Sequence, residues 1–174
     1  GGFCILEVSK LLMYKFYYKY LKNKYGDKVK LLQTDTDSFI IHVESDDFYE
    51  DIKDNIDNFD TSDYGDAFPV NIPKVNKKVV GKFKDEFNGV PIREFVGLRA
   101  KMYAFKTDVS EKKTCKGVKQ ANKERIKFDN YKECLLNTTQ TKEEIYRISS
   151  KHLQMFTVKE YKVGLSCYDD KKYL

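Results

Sequence analysis

Apolar positions in this chain change period along its length. Val8, Leu12, Phe16 and Tyr20 recur every fourth residue, with Leu11 and Leu21 beside them, which predicts an amphipathic helix over residues 5–25. Lys10, Lys15, Lys19, Lys22 and Lys24 fall mostly elsewhere on its surface, and Gly26 supplies a stop. The next stretch, VKLLQTDTDSFIIHV at 29–43, sets two β-branched-rich apolar runs around a short acidic centre and predicts a hairpin. A short helix is expected around 47–55, then a loop through DTSDYGD. Residues 77–86 and 93–106 read as strands, separated by turn signals at Asn88-Gly89 and Pro91. Asp129 is placed to cap a short helix in FDNYKECLLN, and Thr141 with Glu144 has capping-box spacing ahead of IYRISSKHL. LQMFTVKEYKVGLS alternates as a pair of strands would. The sum is an α+β chain, with an antiparallel sheet and packed helices over 1–106 and a smaller region over 107–174.

Within 93–106, one strand face carries Leu98, Ala100, Met102 and Ala104, and the other Arg99, Lys101, Tyr103 and Phe105. A row of two cations and two rings suits a nucleic acid strand, the cations meeting phosphates and the rings sugars or bases. An ordinary surface strand with snorkelling side chains has the same composition.

Asp35 and Asp37 raise a similar choice. Asp and Thr are common at hairpin tips, so the acidic centre alone reads first as a turn. Its other meaning is a metal site. Four cysteines lie far apart without a CxxC pair and there are two histidines, which argues against zinc. Oxygen ligands point to Mg²⁺ or Mn²⁺. The cysteine usage suits an intracellular, reducing compartment.

Of the 174 residues, 41% are hydrophobic and 34% charged, a folded composition with no run long enough for a membrane span. The opening GGFCILEVSKLLMYK does not read as a signal peptide and looks like a chain cut from something longer. The net charge of +5 hides a segregation. Residues 44–66 hold ten acids against Lys53 alone, leaving 31 basic and 17 acidic residues elsewhere. A basic body of that kind invites a polyanion.

The motifs carry a resemblance. TDTDS at 34–38, after an apolar strand, resembles the DTDS signature of family B DNA polymerases. The longer stretch ILEVSKLLMYKFYYKYLKNKYGDKVKLLQTDTDS resembles the helix and hairpin that enter this motif in protein-primed members, with Maverick/Polinton transposon polymerases the nearest in pattern. VGKFKDE, GLRAKMYAF, CKGV and DDKKYL follow in the same order as in that group.

The resemblance implies the C-terminal part of a polymerase palm, followed by a thumb-like region. It implies two-metal nucleotidyl transfer from a dNTP to a primer 3′-hydroxyl. Asp37 would be a principal ligand of two Mg²⁺ or Mn²⁺ ions, with Asp35 beside it and Thr36 and Ser38 supporting the site. Lys101 and Tyr103, with Arg99, would contact the primer strand. Partners would be a DNA primer-template, dNTP, a terminal priming protein, and upstream palm, fingers and exonuclease regions. The chain departs from the pattern at Gln33, where relatives carry an aromatic residue. It also lacks the upstream SLYP-like motif with its aspartate and the lysine-rich nucleotide-binding helix. Those departures leave a rival reading, a non-catalytic DNA-binding remnant of a mobile-element polymerase.

Overall fold

The structure, a computed structural model, describes residues 2–66, 68 and 70–168. The DDKKYL motif therefore lies outside the described residues. The fold is α+β, with helices and small, mostly antiparallel sheets. It divides into two compact units, Gly1–Pro91 and Ile92–Leu174. Residues 92–106, grouped with the first region on sequence, belong to the second unit. No helix among the described residues is long and apolar enough to cross a membrane.

The first unit opens with α1 (Gly2–Tyr14), which runs through a π-helical stretch (Lys15–Leu21) into α2 (Lys22–Tyr25). Gly26, at φ 56°, ends it, a backbone conformation that glycine adopts without a Cβ clash. The buried stripe is Met13, Tyr17 and Leu21, one position along from the expected one, and Val8 and Leu12 are exposed. The offset is already present at Met13, within α1, and continues through the π-helical stretch at Tyr17 and Leu21. Tyr17 and Leu21 pack on Val29, with Phe16, Tyr20, Phe39, Ile41 and Val43 around them. The helix thus lies on one face of the hairpin β1 (Val29–Asp35) and β2 (Ser38–Val43).

After the hairpin, α3 (Phe48–Asp54) forms where a helix is expected, capped by the Asp47 carboxylate, which accepts from the Tyr49 and Glu50 amides. Residues 77–86 are mostly turns and not a strand. Only β4 (Phe83–Lys84) is extended, pairing in parallel with β3 (Phe59–Asp60). Positive φ at Asn76, Lys78 and Gly81 breaks the rest. Side chains tie this loop down. Asn76 donates to the Ile56 and Phe59 carbonyls, Thr61 donates to Pro73 O at 2.6 Å, and Asp60 accepts from the Lys78 amide at 2.9 Å.

In the second unit, β5 (Ile92–Arg99), β6 (Met102–Thr107) and β7 (Glu111–Cys115) form an antiparallel sheet in that order. The expected single strand over 93–106 is therefore a hairpin. It turns at Ala100 and Lys101, with Lys101 at φ 58°, and Ala100 is exposed instead of joining the apolar face. After α4 (Gln120–Lys123), α5 (Phe128–Leu136) packs on the sheet. Its cap is not Asp129, which lies in the first turn. Asn130 accepts from the Lys127 amide at 2.8 Å, and Glu111 accepts from the Phe128 amide at 2.9 Å.

The segment read as a capped helix after Thr141 is a strand. β8 (Gln140–Lys151) pairs with β9 (Gln154–Ser166) in a long two-stranded ribbon. Its closing strand is one strand and not two. Thr141 accepts from the Leu165 amide at 2.7 Å, and Glu144 pairs with Lys159 at 2.7 Å across the ribbon. The β-branched and aromatic residues Ile145, Tyr146 and Ile148, given a partner strand, outweigh the local capping signal.

Candidate active-site hairpin

The acidic stretch forms the tip of the β1–β2 hairpin. Asp35 ends β1, Thr36 and Asp37 make the turn, and Ser38 begins β2, paired with Asp35. The turn is tighter than an ordinary two-residue hairpin turn. The Asp37 amide donates to the Asp35 carbonyl at 2.5 Å, a γ-turn centred on Thr36 at φ 44°. A β-branched residue in that region is strained, and such strain concentrates at functional sites. Thr36 Oγ1 donates to Asp35 Oδ1 at 3.3 Å and Ser38 Oγ to the Asp35 carbonyl at 3.2 Å. Both residues expected to support the tip thus hydrogen-bond Asp35. Asp35 is half-buried and Asp37 is exposed.

A bulge decides where Asp35 points. The register passes from Leu31↔Ile41 to Gln33↔Ile40, leaving Leu32 unpaired. Before the bulge, Val29 and Leu31 share a face with Val43 and Ile41, and of these Val29, Val43 and Ile41 belong to the helix-packed cluster. After it, Thr34 opposes Phe39 on that face, while Gln33 and Asp35 turn to the other with Ile40 and Ser38. Without the extra residue, Asp35 would fall on the face that carries Phe39 and Ile41. Bulges beside active sites re-aim side chains in this way. The one mark of this bulge in the sequence is slight: Val29, Lys30 and Leu31 alternate, and Leu32 breaks that alternation before Gln33.

Two carboxylates on one turn fit a hard, oxygen-seeking cation as part of its shell. Among the described residues, no group of three or more His, Cys, Asp or Glu side chains is arranged to hold a metal ion.

The Arg99–Phe105 row does not exist as a row. Arg99 opposes Met102, while Tyr103 opposes Gly97, so a register shift at Leu98 and the turn put Arg99 and Tyr103 on opposite faces. Lys101 sits in the turn itself. Tyr103 belongs to an aromatic strip, its ring 6.1 Å from Phe95 and 6.4 Å from Phe105, both stacked. Lys112 lies over the Phe105 ring at 5.9 Å. The acidic tip lies in the first unit and this strip in the second.

Eight of the ten acids in 44–66 are exposed, while Asp51 and Asp60 are drawn inward. Asp51 accepts from Tyr25 Oη at 2.7 Å and Ser45 Oγ at 2.8 Å, with Lys24 at 2.6 Å. Burial alone would raise the Asp51 carboxyl. The hydrogen bonds from Lys24, Tyr25 and Ser45 outweigh it and hold the group below the usual aspartate value. For Asp60, likewise, burial would raise the carboxyl, and bonds from Ser62 and the Lys78 amide hold it lower. Asp63 pairs with Lys84, and Asp66 with Lys74 at 2.5 Å.

No family model matches the chain, and no curated protein or solved structure does either.

Proposed function

We propose that the chain is the palm-and-thumb part of a protein-primed family B DNA polymerase. In this reading it takes part in transfer of a nucleotide from a dNTP to a primer 3′-hydroxyl. The observation that carries the reading is the hairpin tip. A TDTDS sequence lies on a strained turn, with one carboxylate turned off the packed face by a bulge and the next exposed.

Asp37 and Asp35 would hold Mg²⁺ or Mn²⁺, completed by a carboxylate from the upstream palm. Such ions, when bound, stabilise negative charge on the transferring phosphoryl group. The chain's own part is positional. The γ-turn fixes the spacing of the two carboxylates, and Thr36 and Ser38 hold Asp35. Lys101, Arg99 and the Tyr103 strip would meet the primer-template as separate contacts on one hairpin. A terminal priming protein would present the first hydroxyl.

Primer extension by a longer chain containing the upstream palm tests this. Asp37→Asn is expected to lower extension by roughly a hundredfold or more while DNA binding persists. Undiminished extension by that variant removes Asp37 from the chemistry. DNA binding by a longer chain that never extends a primer favours the non-catalytic remnant.

A further inference from the structure

Two thiols in the second unit share one acceptor. Cys134 lies in the last turn of α5 and is 1% exposed. Cys167 directly follows β9, is half-buried, and packs against the core cluster that contains Cys134. Both donate to the Thr139 carbonyl, at 3.0 and 3.8 Å. The two sulfurs thus converge on one carbonyl oxygen. Burial pushes the Cys134 thiol up, and the neighbouring Cys167 adds to that. A thiol of that kind is inert until a reactive sulfur arrives next to it. Cys115, also buried, donates elsewhere, to the Gly164 carbonyl at 3.7 Å. All four cysteines are free.

We propose that Cys134 and Cys167 form a peroxide-responsive disulfide that locks the base of the β8–β9 ribbon onto α5. Cys167 is the thiol that a peroxide reaches. Its thiolate attacks one peroxide oxygen, the O–O bond breaks, and the departing hydroxide takes up a proton to leave as water. Cys167 is then a sulfenic acid. The Cys134 sulfur attacks the Cys167 sulfur, the S–O bond breaks, and the proton released from Cys134 leaves with that oxygen as a second water. Two thiols lose two electrons to become one disulfide, and the peroxide gains them. A dithiol reductant reverses the change by exchange.

The location gives the bond a consequence. Gln140 pairs with Ser166 at the closed base of the ribbon, and Cys167 is the next residue. The covalent loop from Cys134 to Cys167 therefore contains the whole ribbon. Oxidation would fix the joint between ribbon and helix, and reduction would release it. This inference is independent of the polymerase reading and of Asp37.

The test uses the 1–174 chain treated with hydrogen peroxide and then alkylated under non-reducing conditions. The expected result is an intact mass two alkyl groups short of the reduced and alkylated chain, and a peptide map that joins the Cys134 and Cys167 peptides. Dithiothreitol should reverse both, and the oxidised chain should unfold at a midpoint higher by on the order of 10 °C. Cys115→Ser should still cross-link and Cys167→Ser should not. The wild-type map decides the matter even if a variant fails to fold. Cys167 joined to Cys115, Cys167 driven to sulfinic acid beside a reduced Cys134, or no reaction at all would each overturn the proposal.

Discussion

The two units are held together by different means. In the second, ten buried residues from β5, β6, β7, α5, β9 and the segment before α5 form one cluster, with Phe128 and Tyr131 at its centre. The first has a smaller cluster, Tyr17, Leu21 and Val29, ringed by half-buried aromatics, with Met13, Ile52, Phe59, Tyr64 and Ile72 buried outside it. Its long loop is fastened by Asp60, Thr61, Asn76 and Asp85, each bonding a backbone group distant or nearby. Asp85 alone accepts from the Phe87 and Gly89 amides and from Tyr64 Oη. In the first unit, carboxylates and amide side chains thus supplement a more dispersed set of buried apolar residues. Of the ten acids in 44–66, Asp51 and Asp60 take part in this fastening from inside the fold, and the other eight stay exposed.

The largest test of the contrast removes apolar volume. Phe128→Ala deletes a side chain 1% exposed, stacked under Lys106 at 4.5 Å from the ring centroid. A loss of about 3–5 kcal/mol is expected, read by chemical denaturation. Hydrogen exchange should show the loss in β6 and α5. A cost below ~1 kcal/mol would mean the cluster is not the second unit's main support.

Polar fastening makes a different prediction. Asp60→Asn should cost about 1–3 kcal/mol, since the amide replaces a charged acceptor facing two amide donors. The same carboxylates set a pH dependence. Asp51 and Asp60 titrate lower in the fold than in the unfolded chain. The stability they add is therefore complete above about pH 4 and is lost as pH falls through their folded values. Acid should loosen loop 60–89 before the Phe128–Tyr131 core, and Asp60→Asn should flatten that response. Simultaneous loss of both regions at one pH would erase the distinction.

The contrast also shows what local sequence can and cannot say. The hairpin at 29–43 was legible because β-branched runs flank turn-prone residues, and α3 because Asp47 precedes a helical stretch. The Leu32 bulge was not, because a single break in the Val29-Lys30-Leu31 alternation does not say which residue goes unpaired. The turn at Ala100-Lys101 was missed for want of glycine, asparagine or proline there, and that error invented the cation–aromatic row. At Thr141–Glu144 the capping spacing was real. The deciding influence was β9, a partner that a local window around Thr141 does not contain. The candidate carboxylates were found by residue type, while the geometry aiming them depends on pairing.

The smallest expected effect lies at the tip of the β8–β9 ribbon and concerns two hairpin turns with opposite demands. His152 and Leu153 take φ values of 50° and 62°, and Leu153 is fully exposed. Two successive left-handed residues make the turn type that favours Asn-Gly, and a leucine there costs roughly 1 kcal/mol in backbone strain. Leu153→Gly should therefore stabilise the ribbon by up to about 1 kcal/mol, less what the glycine gives back in chain entropy. Thr36→Gly relieves strain of the same sign at the acidic tip, and it should also raise stability. The two differ in what else they change. The ribbon variant should keep every binding property of the chain. The Thr36 variant also loses the hydroxyl that meets Asp35 and frees the γ-turn. If the tip positions catalytic carboxylates, Thr36→Gly in the longer chain should lower primer extension while raising the thermal midpoint. A gain in both would make Thr36 strain without a use, and the tip an ordinary turn.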